Sequence, residues 1–234
     1  MTGVLLTMWR VLTFQFTRED IEAFGYGHLA AGLFVTWLVG MGRYWDNPRV
    51  GLLQHLGVGS VVYVFVLAAW MWLVIWPLKP ERLGYRQLLT FITLTAAPAA
   101  LYAIPIEGHM PVTNAANLNI FFLGIVSIWR VALWGTFLYR WAGFRAGTLV
   151  CAALFPLALI VVALAMLNLD RAVFEIMAGI HDRDHTSNDG TYFILLVLSW
   201  LTTVASPILL LAYGAVVASR RMDRSPERQQ NRER

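Results

Sequence analysis

The chain reads as an all-α, polytopic transmembrane helical bundle of six spans, preceded by a short N-terminal interfacial helix. Three observations predict this. Only 14% of the 234 residues are charged and 58% are hydrophobic, whereas soluble domains carry about 25% charged residues. The apolar residues fall in long uncharged blocks, and a bilayer-crossing helix needs roughly 20 such residues in succession. Short polar or basic segments separate the blocks. In lipid every backbone N–H and C=O must be paired within its own segment, so blocks of this length can only be helices.

Residues 1–16 are apolar but short for a span and are interrupted by Arg10. They lack the basic start and small-residue cleavage site of a signal peptide. Leu5, Met8, Trp9, Leu12 and Phe16 recur at helical spacing, which predicts an amphipathic helix lying on the membrane within residues 1–22. Thr17 followed by an acid at Asp20 reads as a capping box that opens the next helix. The predicted spans then cover 23–42, 56–77, 87–106, 117–139, 146–168 and 192–217. The third is the least apolar. Residues 218–234 are polar and Arg-rich, which predicts a disordered cytoplasmic tail.

Sidedness follows from the basic residues, because cytoplasmic loops are enriched in Lys and Arg. Six spans put Arg10, Arg18, Lys79, Arg82, Arg86, Arg140, Arg145 and the tail arginines on one side. The other side receives Arg43, Arg49, Arg171 and Arg183, and its longest loop, 169–190, is acidic. Both termini are therefore expected in the cytoplasm. Lys79 is the only lysine, a bias that points to a GC-rich bacterial genome and hence to a cell (inner) membrane. The net charge of +4 lies largely in the tail, so nucleic acid is not an expected partner. The expected partners are the lipid bilayer, other membrane proteins or a second copy of the chain. A single cysteine, Cys151, excludes an intrachain disulfide and any CxxC site.

Arg130 is the most informative residue. It falls near the middle of the fourth span, where an arginine costs about 2.5–3.5 kcal/mol on insertion scales. Such a side chain should face the bundle interior and find partners. Asn119 and Ser127 are candidates on its own helix, and Thr203 and Ser206 on the sixth span. No Asp or Glu occurs in any predicted span. Pro98, Pro156 and Pro207 each fall within one, and a proline frees a carbonyl one turn upstream. These groups could simply satisfy one another, or they could receive an anionic ligand at Arg130.

A second cluster lies in the acidic loop. His181, Asp184, His185 and Asp189 combine imidazoles with carboxylates, the donor set of zinc or another divalent metal. The glutamate of an HExxH motif is absent and Arg183 stands among the ligands, so a solvated loop is the competing reading, and no cofactor is predicted beyond this possible divalent metal. Phosphate-cradling glycine loops are also missing. The preferred expectation is a non-enzymatic scaffold, assembly factor or membrane-complex subunit. The alternatives are a small transporter, channel or lipid-handling protein with an anion site at Arg130, and a metal-dependent membrane enzyme using the 181–189 loop.

Overall fold

A computed structural model describes residues 2–42, 52–78, 80–104, 112–144, 146–167, 169 and 189–222. Among these residues every regular element is helical. The α-helices are α1 (Thr2–Leu12), α2 (Arg18–Glu22), α3 (Tyr26–Gly42), α4 (Leu52–His55), α5 (Val58–Ile75), α6 (Tyr85–Leu94), α7 (Val112–Arg140), α8 (Ala146–Met166) and α9 (Asp189–Met222). Two 3-10 segments, Trp76–Leu78 and Ala97–Ala103, follow α5 and α6.

α1 is amphipathic: Val11 is fully buried while Leu5, Leu6 and Trp9 face outward. It ends in a Schellman-type turn, with Gln15 N–H donating to the Arg10 carbonyl and Phe14 in the left-handed region at φ 62°. A phenylalanine there costs about 1–2 kcal/mol relative to glycine. The conformation is held from outside, because Arg140 donates to the carbonyls of Phe14 and Phe16.

The capping box forms as the sequence predicts. Thr17 caps α2, and the Asp20 carboxylate accepts the Thr17 N–H at 2.8 Å and pairs with Arg10 at 3.0 Å. Burial pushes the Asp20 carboxyl upward, but the Thr17 amide, Arg10 and the Thr17 hydroxyl together outweigh it and hold it below its ordinary value. The box therefore contributes fully above the unfolded value of 3.8 and is lost as pH falls through the lower folded value. Thr17→Ala should loosen α2 by about 1 kcal/mol. Hydrogen exchange of the α2 amides should be faster in that variant at pH 7, and no change would mean that Arg10 and packing hold α2 alone.

The centre of the bundle is α6. Every residue from Leu88 to Ala96 is buried, and the helix is enclosed by α3 and α5 with α1 and α2 against it. The small residues Gly32, Thr36 and Gly40 make one buried stripe on α3, which lets the backbones approach closely. The Thr36 hydroxyl donates to the Gly32 carbonyl at 2.9 Å and lies 3.5 Å from the Thr93 carbonyl. Gly40 meets Ser60, and Gly57, at φ 66°, turns the chain into α5 against the Trp37 carbonyl.

Among the described residues four helical stretches are long and apolar enough to cross a membrane: Val58–Leu78, Asn117–Arg140, Gly147–Met166 and Ser199–Arg221. These lie on the predicted second, fourth, fifth and sixth spans. The predicted first span is the 17-residue α3, about 26 Å long at 1.5 Å per residue. No continuous helix fills 87–106. α6 stops at Leu94 and the chain continues as the 3-10 segment. The cause is local: Pro98 disfavours α geometry at Ala97, and the Thr95 hydroxyl turns back to the Ile92 carbonyl at 2.8 Å. The structure also carries α9 through Met222, so residues 218–222, assigned to a disordered tail, are helical.

α7 packs on α8 and on the 3-10 segment after α6, whereas α9 packs chiefly along α8. Small residues Cys151, Ala152, Ala153 and Ala158 are buried on α8. Phe155 stacks on Tyr213 at 4.4 Å, and the Tyr213 hydroxyl donates to the Val74 carbonyl at 2.7 Å. An aromatic series ties the core together, from Phe16 to Phe91 (5.9 Å), Phe91 to Phe137 (4.3 Å) and Phe137 to Trp134 (5.8 Å).

Candidate functional site

The buried residues of α7 are Val126, Leu133, Trp134, Phe137 and Leu138. Arg130 lies four residues from Val126 and four from Trp134, so it belongs to this inward stripe. It is half-buried. Among the described residues it makes no hydrogen bond, ion pair or ring contact.

Its predicted partners are otherwise engaged or elsewhere. Asn119 is half-buried on α7 and has a bonded partner of its own. Ser127 is exposed. The Thr203 hydroxyl donates to the Ser199 carbonyl at 2.7 Å, and Ser206 donates to the Thr203 carbonyl at 2.9 Å. That last carbonyl is the one Pro207 leaves without its helical donor. Ser206 therefore repairs the break in its own helix, while Thr203 bonds back one turn within it.

Trp134 is the group that sequence reasoning missed. It is 4% exposed, and its indole N–H has no hydrogen-bond partner. On an α-helix side chains lean toward the N-terminus, which brings the Trp134 ring over the turn that carries Arg130. The available signal was its i, i+4 spacing from the arginine. Two further buried indole N–H groups, on Trp72 and Trp141, are also unpartnered. Trp141 lies beneath Arg82, and Arg82 pairs with Glu22. Trp72 stacks on Trp76. Only Trp134 has an unpaired cation one turn away among the described residues.

Arg130 and the break after α6 lie at similar depth. Arg130 is ten residues before Arg140, and Leu94 is nine after Tyr85, or about 15 and 14 Å along their helices. Arg140 and Tyr85 both mark the charged end of the bundle. There Arg18 donates to the Arg140 carbonyl and pairs with Glu81 at 3.2 Å, Glu81 N–H donates to the Ala142 carbonyl, and Arg220 donates to the Leu78 carbonyl. Gly143, at φ 70°, leaves room for the Glu81 carboxylate, which would lie 2.5 Å from a Cβ. The described carboxylates at this end other than Glu19 are thus committed to Arg10, Arg18 and Arg82.

Of the predicted metal ligands, His181, Asp184 and His185 lie outside the described residues, and Asp189 opens α9. Among the described residues no three His, Cys, Asp or Glu side chains form a group that could hold a metal ion. His28 has a local role, accepting the Gly25 N–H through Nδ1 at 3.3 Å at the start of α3.

Among the described residues these features define an all-helical protein with four helices long and apolar enough to cross a membrane. No protein-family model, curated protein or solved structure matches the chain.

Proposed function

We propose that the chain is a six-pass protein of a bacterial inner membrane, with both termini cytoplasmic, that acts as a non-enzymatic scaffold, assembly factor or membrane-complex subunit. In this reading α3 is the first crossing, and α6 with its 3-10 continuation is the third. The clustering of residues 18–22, Leu78, Glu81, Arg82, residues 140–144 and Arg220 at one end supports this sidedness, as does the arginine bias of the same segments. Reporter insertions after His109 should read external and carboxyl-terminal fusions cytoplasmic. An insertion after His109 that reads cytoplasmic would make α6 a re-entrant segment and overturn the six-pass reading.

The observation that carries the scaffold role is α9. None of its most apolar stretch is buried, and α8 is its main support. Trp200, Val204, Ile208 and Leu211 face outward at 63%, 52%, 70% and 75% exposure, leaving a helix face free for another transmembrane helix. A protein extracted in mild detergent should carry a partner, or a second copy, at fixed stoichiometry. Val204→Trp with Leu211→Ala should release it. A partner-free monomer in the wild type would rule the role out.

A second reading, a small transporter or lipid-handling protein, is supported by the inward position of Arg130.

A further inference from the structure

We propose that Arg130 and Trp134 form a binding site for one oxyanion, a carboxylate or phosphate group, at mid-depth beside the broken third helix. The inference deepens the second reading above and rests on the bundle standing in a membrane.

The two groups are donors only. A guanidinium offers N–H bonds and no acceptor, and an indole offers one N–H. Both lie on the inward stripe of α7 within one turn, one half-buried and one almost wholly buried, and neither has a partner among the described residues. An unpaired cation in a medium of low dielectric constant calls for an anion, and an unpaired buried N–H for an acceptor. One oxyanion answers both needs.

Among the described residues the protein provides no such anion beside these two groups. From Val112 to Leu169 the chain has no Asp or Glu. α5, α6 and the 3-10 segment after it lack one as well. The hydroxyls of Thr203 and Ser206 on α9 are committed to their own helix. The depth is also wrong for an ordinary lipid phosphate. Arg130 lies about 15 Å along α7 from Arg140 and about 20 Å from Asn117, well inside a hydrocarbon core about 30 Å thick. A ligand here is either an amphiphile drawn inward by its acid group or a small soluble anion. α7 packs against the 3-10 segment, and interrupted helices at this depth are a common way for membrane proteins to surround a solute.

Thermal unfolding of the purified full-length protein, in neutral detergent, decides the matter. The probes are oleate, benzoate and inorganic phosphate, with oleyl alcohol as the uncharged control. Saturable stabilisation by at least one anion and none by oleyl alcohol is expected. Arg130→Gln should weaken that binding tenfold or more. Trp134→Phe, which keeps the ring and removes the N–H, should weaken it about threefold to tenfold, and Arg130→Lys should retain part of it. Protection by oleate alone identifies an amphiphile, and protection by benzoate or phosphate a soluble anion. If no anion stabilises the wild type, or if Arg130→Gln and Trp134→Phe are protected as well as the wild type, the proposal is overturned. Should Arg130→Gln fail to fold, Trp134→Phe and Arg130→Lys carry the test. Topology reporters that behave as expected alongside a failed anion test would sink this site and leave the membrane placement intact.

Discussion

Phe91→Ala should destabilise the bundle by about 3–5 kcal/mol, the range for truncating a buried phenylalanine. Phe91 is 2% exposed and is an inner member of the aromatic series that runs from Phe16 through Phe137 to Trp134. The packing term dominates, since lipid chains are as apolar as the side chain and exclusion from water adds little between helices. Removing the ring leaves a void between the chain leading into α2, the central α6 and α7. Because α6 is enclosed by α3 and α5 with α1 and α2 against it, it is not free to settle into the void. Denaturation in mixed micelles should show the loss as an earlier midpoint, with Phe91→Leu falling between. An unchanged midpoint for Phe91→Ala would mean that α6 is not the centre of the folded unit.

Gly32→Ala should cost about 1–3 kcal/mol, the usual penalty for overpacking. A Cβ at Gly32 would lie 2.4 Å from Thr93 Oγ1, 2.8 Å from Thr93 Cβ and 3.1 Å from the Leu94 N. Thr93 cannot swing aside easily, because its hydroxyl donates to the Thr90 carbonyl at 2.8 Å and its surroundings are buried on every side. Either α3 and α6 separate or α6 rotates. Thr93→Ala in the same chain should recover only part of the loss, since the Cβ contact remains. Full additivity of the two substitutions would show that they do not touch.

The parts of the fold most legible in the sequence were those governed by composition. The second, fourth, fifth and sixth apolar blocks each contain a helix of crossing length, because length and hydropathy are sufficient to specify one. The Thr17–Asp20 box was equally plain, being a local pattern with a local cause. The third block failed as a continuous helix. Its mean character is apolar, but the outcome turns on Pro98 and on threonine hydroxyls that bond backward. The inward position of Arg130 was readable from the cost of an arginine at mid-span, whereas its surroundings were not. Ser206 looked like a partner for the arginine, and its hydroxyl instead answers the carbonyl freed by Pro207. Trp134 carries no sequence signal beyond its spacing from Arg130, because its burial and unpaired N–H are tertiary properties. Which of several polar groups meet depends on helix rotation and on neighbours, and one-dimensional patterns do not record these.

The brevity of α6 has a consequence for how the protein is made. A ten-residue helix rises only about 15 Å, and insertion is governed by hydrophobic stretches nearer 19 residues long. While the nascent chain is still emerging from the ribosome, Tyr85–Leu94 has no Phe137 to rest against. α1, α2, α3 and α5 can already enclose it, and only the face that meets Phe137 waits for α7 to be synthesised. A translation product cut short before Val112 thus leaves the Phe91 ring uncovered on the side that Phe137 later fills.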